Sequence, residues 1–205
     1  FSGPLTIRHR DQAIGLMTQI AEAVFSQDLA DNFEHHGWLQ QWQQQIPAYI
    51  DWQIQRNTDW QVKETEAWHE LPLTEQLKIS GQLDRIDYDK NQLGILDYKT
   101  GHIPKQNEVL EGEAVQLPIY ALLATSAQQP VREVAYLDFG ETAKVNMPYT
   151  LADDELNTLS QGIADRLAHI SQQLEQGSGL PAWGDMKTCK YCDMKLLCRR
   201  QAWDD

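Results

Sequence analysis

The chain has 205 residues, 41% of them apolar and seven of them Trp, enough for a substantial core. Its net charge of −13 argues against a broadly basic surface that would hold nucleic acid by charge alone. No apolar run is long enough to span a bilayer, and no signal-peptide pattern is present, so a cytoplasmic, reducing location is expected. The first residue is Phe1 rather than Met, which suggests a piece of a longer protein.

Residues 1–10 read as irregular, with Gly3-Pro4 as a breaker. A helix is expected from Asp11 to about Ser26, with Ile14, Met17, Ala21 and Val24 as its apolar stripe. One or two helices should follow over Asn32–Arg56. Trp38, Leu39, Trp42 and Ile46 recur at helical spacing, Pro47 marks a break or a new first turn, and Tyr49, Ile50 and Ile54 continue the face. These aromatics read as core, with base stacking as the alternative. A strand is expected from Trp60 to Trp68.

The most informative stretch comes next. Leu77–Tyr88 and Leu93–Tyr98 read as two strands joined by a turn at Asp89, Lys90 and Asn91. Side chains two apart share a strand face, so Asp97 and Lys99 project together, with Asp84 arriving from the neighbouring strand. Burying such groups is costly without partners, and a divalent cation held through carboxylate oxygens answers that cost.

Residues 102–112 are polar and loop-like. A helix over Ala114–Ala127 would place Gln116 and Tyr120, four apart, on one face. Val131–Phe139 and Lys144–Tyr149 are strand candidates forming a hairpin around Gly140-Glu141. Asp153-Asp154-Glu155 opens a long helix to about Gln176, stopped by Gly177-Ser178-Gly179. The order predicts an α/β fold with an N-terminal helical part.

Near the C-terminus, Cys189, Cys192 and Cys198 stand in a Cys-x2-Cys-x5-Cys pattern. Thiolates so spaced suit Zn or an iron–sulfur cluster better than a disulfide framework. The same segment holds five basic residues (Lys187, Lys190, Lys195, Arg199 and Arg200) against one acid, Asp193. A local phosphate track could therefore exist on an acidic body.

Three motifs carry a family likeness: Gly81-x-x-Asp84-Arg85-x-Asp87, Leu96-Asp97-Tyr98-Lys99-Thr100-Gly101 and Gln116-x-x-x-Tyr120. Together they resemble the PD-(D/E)xK nuclease superfamily, specifically the RecB/AddB-type domain, from about Trp60 to Arg200. The resemblance implies a mixed central sheet of the restriction-endonuclease-like type flanked by helices. It implies one domain over 1–205, with a helical part (1–58), a nuclease core (60–150) and a C-terminal helix and Cys-rich end (151–205). It implies DNA phosphodiester hydrolysis, as an exonuclease in repair or recombination, with helicase domains or a helicase subunit as partner.

Asp84, Asp97 and the Tyr98 carbonyl would hold Mg²⁺ or Mn²⁺, with Lys99 beside the attacking water and Gln116 and Tyr120 positioning substrate. Glu66 falls where such domains place a further acid. Gln19 stands where they place a His ligand, in Gly15-Leu16-Met17-Thr18-Gln19. Arg85, Lys187, Lys190, Lys195, Arg199 and Arg200 would contact DNA. The three cysteines would ligate a [4Fe–4S] cluster whose fourth Cys lies upstream in the family. The alternative is a catalytically impaired module that binds DNA or a helicase partner, and a weaker one is a Zn-stabilised interaction domain.

Overall fold

A computed structural model describes residues 3–26, 33–125, 129–140, 144–179 and 189–198. Five strands form one sheet in sequence order. They are β1 (Gln61–Pro72), β2 (Lys78–Asp89), β3 (Gln92–Lys99), β4 (Val131–Asp138) and β5 (Thr150–Ala152). All neighbours are antiparallel except β3 and β4, so the sheet is mixed. A parallel pair requires a crossover. Here the crossover carries α3 (Gln106–Leu110) and α4 (Gln116–Ala124), and α4 packs on the sheet.

β3 and β4 are buried along most of their length, as expected for strands covered on both faces. One face holds the larger core, where Ile86, Leu93, Ile95, Val134 and Tyr136 meet Leu117 and Ala121 of α4. Leu156, near the start of α5 (Asp153–Glu175), joins them. The other face receives α2 (Phe33–Arg56). Its Tyr49 ring lies 5.5 Å from Phe139 and its Arg56 bonds Glu133 and Asp87. α1 (Arg10–Phe25) packs on α2 through Ala13, Ala21, Ile46 and Ile50. Gly94 is the residue that lets Arg56 and Trp60 lie flat on β3. A Cβ there would come within 3.0 Å of both.

Several of the expected elements differ from the observed ones. α2 is one helix with Pro47 inside it. The missing hydrogen bond is outweighed by the burial of Ile46 and Ile50 on either side. The loop at 102–112 contains α3, whose first turn is closed by Glu108 accepting from the Lys105 N–H at 2.9 Å. α4 begins at Gln116 and stops at Ala124, where Thr125 turns extended and sends both its N–H and hydroxyl back to the Ala121 carbonyl. Residues 126–128 lie outside the described residues. Lys144–Tyr149 is not a strand. Only an Asp138–Asn146 bridge forms there, and β5 begins at Thr150. Pro148 has no N–H to give a ladder, which explains the delay.

Contacts divide the chain into two compact units, Phe1–Arg166 and Leu167–Asp205. In the second, α5 ends in the glycine stop expected. Gly177 takes φ +81°, and Ser178 and Gly177 donate back to Gln173 and Leu174. Further on lies a short helix, Lys195–Cys198. No described helix is long and apolar enough to cross a membrane.

Candidate active site

The site lies where the sheet forks. β2 and β3 pair only as far as Arg85–Leu96. Beyond that point β2 continues with β1, while β3 continues with β4 to Lys99. The fork leaves strand groups without ladder partners, and the Asp84 carboxylate takes one of them, accepting from the Tyr98 N–H at 2.9 Å. This fixes Asp84 beside the start of the Asp97-Tyr98-Lys99 run.

Asp97 and Lys99 share the α4 face of β3. Lys99 Nζ lies 2.7 Å from Asp97 Oδ2 and donates to Gln116 Oε1 at 3.0 Å. Gln116, the first residue of α4, donates through Nε2 to Asp97 Oδ1 at 2.8 Å and to the Tyr120 hydroxyl at 2.9 Å. One turn of helix thus ties the amide and the phenol to the strand pair. Tyr136, opposite Asp97 on β4, sits beneath the ammonium, with its ring centroid 5.3 Å from Lys99 Nζ.

Burial pushes the Asp97 carboxyl up, Lys99 pulls it down, and Asp84 pushes it up again. Burial also raises the Tyr120 phenol. Asp97 is 2% exposed, and its Oδ2 makes no aligned hydrogen bond despite the close ammonium. A buried carboxylate oxygen with spare lone pairs, next to a second carboxylate, is a donor set that fits a hard divalent cation. The fit is with two side chains, since no three His, Cys, Asp or Glu groups converge as a metal site among the described residues.

The other expected site residues lie elsewhere. Glu66 is exposed, has φ +50° and accepts from Gln82 Nε2 at 3.0 Å, so the structure does not supply the buried acid expected from it. Gln19 is exposed on α1. Arg85 is a correction. It is 2% exposed and donates to Asp87 at 2.6 and 3.2 Å and to Gln53 at 2.6 Å, which leaves it no reach toward a phosphate. It also touches the Tyr98 hydroxyl at 3.3 Å, from the face opposite Lys99. Arg56, stacked near Trp52 and Trp60, holds the same Asp87.

Asp87 therefore clamps two arginines under β3. That role was not readable from the motif, because Arg56 is remote in sequence. Tyr136 was missed for a related reason: an aromatic in an apolar strand reads as core.

In the C-terminal unit, Cys189, Cys192 and Cys198 are free thiols. They are not gathered into a metal site, so the structure gives the expected iron–sulfur cluster no support. Lys190 is exposed, with its ammonium 5.2 Å from the Tyr191 ring. Lys195 opens the short helix there. Lys187, Arg199 and Arg200 lie outside the described residues.

A family profile for the PD-(D/E)XK nuclease superfamily matches residues 5–199. The chain belongs to that superfamily. The five-stranded mixed sheet with flanking helices is the architecture that membership entails. The chain is 25% identical over 184 residues to the Gene 69 protein of Mycobacterium phage L5, which covers 76% of this chain and 59% of the phage protein. It thus spans about three-fifths of that relative's length.

Two solved structures are also similar. SSO0001 is 22% identical, with a TM-score of 0.39, over 66% of this chain and 59% of that one. A candidate exonuclease from Eubacterium rectale is 12% identical, with a TM-score of 0.41, over 67% and 51%. Nuclease activity is the chemistry of the superfamily, whose members typically use divalent metals. The RecB/AddB subgroup within it is a finer assignment and belongs to the proposal that follows.

Proposed function

We propose that this chain is a Mg²⁺- or Mn²⁺-dependent deoxyribonuclease domain of the RecB/AddB type, an exonuclease acting in DNA repair or recombination. The observation that carries this reading is the single bonded cluster of Asp97, Lys99, Gln116 and Tyr120, with Asp84 pinned to the adjoining backbone. A binding module gains nothing from keeping an ammonium and two carboxylates together in a half-buried fork.

In this reading Asp84 and Asp97 hold the cation, with the Tyr98 carbonyl as a further oxygen donor. A bound divalent ion supplies Lewis acidity and a water of lowered pKa. Lys99 orients the attacking water and meets charge developing on the phosphate oxygens. Gln116 keeps Lys99 and Asp97 in register, and Tyr120 positions the strand being cut. The basic segment at 187–200 would take up phosphates of the same substrate. A helicase partner and a cluster on Cys189, Cys192 and Cys198 in a longer protein rest on the family resemblance alone.

The test is release of nucleotides from linear DNA in Mn²⁺ or Mg²⁺. Chelation should abolish it, and Asp97→Ala should lower it at least about 100-fold, the scale of losing a main electrostatic contributor. Unchanged degradation by Asp97→Ala would refute the assignment.

A second reading, an impaired nuclease-fold module that binds DNA or a helicase, is favoured by one observation: Gln19 and Glu66 bring no further ligand to Asp84 and Asp97. Calorimetry separates the two, since the module would show no Mn²⁺ binding that depends on Asp84 and Asp97.

A further inference from the structure

β4 is a mostly apolar strand, and Tyr136 is its one aromatic residue. Tyr136 stands in register with Asp97 on β3. Residues paired across a sheet share a face, so the ring turns toward α4 together with Asp97 and Lys99. It is fully buried there, in the core that Leu117 and Ala121 complete. A second ring holds it. Tyr149 meets it edge-on, with centroids 6.0 Å apart at 89°, and the Tyr149 hydroxyl is tied to the Pro104 carbonyl at 2.7 Å.

Lys99 needs such a fixed surface. Its ammonium is a point charge with three N–H donors on a flexible four-carbon stem. Asp97 Oδ2 at 2.7 Å and Gln116 Oε1 at 3.0 Å hold it by two polar contacts. Two contacts leave the ammonium free to sink toward β4 or swing out of the fork. The Tyr136 ring, its centroid 5.3 Å from Lys99 Nζ, attracts the cation and blocks its descent. A ring face offers no oxygen to the third N–H. That donor is left for the open side, where the Lys99 side chain keeps 24% exposure.

The Tyr136 hydroxyl adds nothing to this hold. It is buried and has no hydrogen-bond partner among the described residues. A buried hydroxyl in that state costs stability instead of supplying it. What Tyr136 gives the site therefore comes through its ring.

We propose that Tyr136 is the positioning residue for Lys99: its ring face holds the ammonium over the fork and leaves one N–H free for the reacting phosphate or its attacking water. The effect on cleavage rests on the nuclease reading above. The hold on Lys99 does not.

The experiment uses the whole chain with two substitutions. Tyr136→Met fills much of the same space without a ring, and Tyr136→Phe keeps the ring without the hydroxyl. In cleavage of linear DNA with Mn²⁺, Tyr136→Met should lower kcat roughly tenfold, the rate equivalent of a partly desolvated cation–π contact, with KM and Mn²⁺ affinity unchanged. Tyr136→Phe should recover most of that loss. Equal loss in both variants would assign the role to the hydroxyl and overturn the proposal. An unchanged kcat in Tyr136→Met would overturn it as well.

A second measurement needs neither metal nor DNA. In the chain labelled with ¹³C-lysine, the Lys99 Cε methylene resonance is assigned by its loss in Lys99→Arg. Ring current should place it upfield of the exposed lysines in the unsubstituted chain and in Tyr136→Phe, and at the ordinary position in Tyr136→Met. The first two spectra decide even if Tyr136→Met does not fold, because an ordinary position in both would overturn the proposal. The two readings fail separately. Cleavage with an unshifted Lys99 resonance removes the ring's role alone, and a ring-dependent shift in a chain that cleaves nothing removes the nuclease alone.

Discussion

Asp87 shows how much one buried carboxylate can organise. It takes Arg85 on one side and Arg56 on the other, and its side chain has no exposure. Removing one member of a buried ionic group leaves its partners charged and unpaired, at a cost of about 3–5 kcal/mol. Asp87→Ala should therefore lower the unfolding free energy by about that amount, measured by urea denaturation. A loss below about 1 kcal/mol would mean that water reaches the arginines.

Asp97 and Lys99 could be placed on one face from strand period alone, and Gln116 and Tyr120 from helix period alone. Their meeting needed a crossover of the right length, which the family motif supplied. Arg85 was misread because a lone arginine in a motif gives no sign of whether a partner or solvent will receive it. Its remote partner Gln53 lies about thirty residues upstream, as does the Arg56 that shares Asp87 with it.

At the scale of elements, the fork between β2 and β3 makes the site, and α4 closes it. Long apolar elements were legible: α1, α2, β3, β4 and α5 were foreseen within a few residues. The failures came where local chemistry competes with pattern. Apolar residues at 145 and 147 suggested a strand, but Pro148 delays pairing until Thr150. A polar run at 102–112 hid α3, whose Val109 is fully buried. β1 runs on to Pro72 because β2 offers it a continuous partner, which the irregular alternation after Trp68 did not reveal.

α4 owes its position to Leu117, fully buried next to Gln116. Leu117→Ala should cost about 2–5 kcal/mol by loss of transfer energy and a residual cavity. It should also lower kcat more than it raises KM, since Gln116 would hold Lys99 less firmly. A change in KM alone would separate α4 packing from the chemistry.

For the molecule as a whole, the acidic composition and the nucleic-acid substrate of the proposed function conflict unless the positive charge is local. The segment at 187–200 holds the largest run of it. If five phosphates meet these five side chains, the affinity for single strands should fall with salt at a log–log slope of about −3.5. Replacing all five with Gln should flatten that slope toward zero. An anisotropy titration across a salt series measures both. An unchanged slope in the five-fold variant would locate the phosphate contacts elsewhere.

The decisive test falls on Lys99, which pairs with Asp97 and donates to Gln116. In single-turnover cleavage of DNA with saturating Mn²⁺, Lys99→Ala is expected to be slower by at least about 100-fold while still binding the metal. A variant cleaving within about threefold of the unsubstituted chain would mean that the ammonium beside Asp97 takes no part in the reaction.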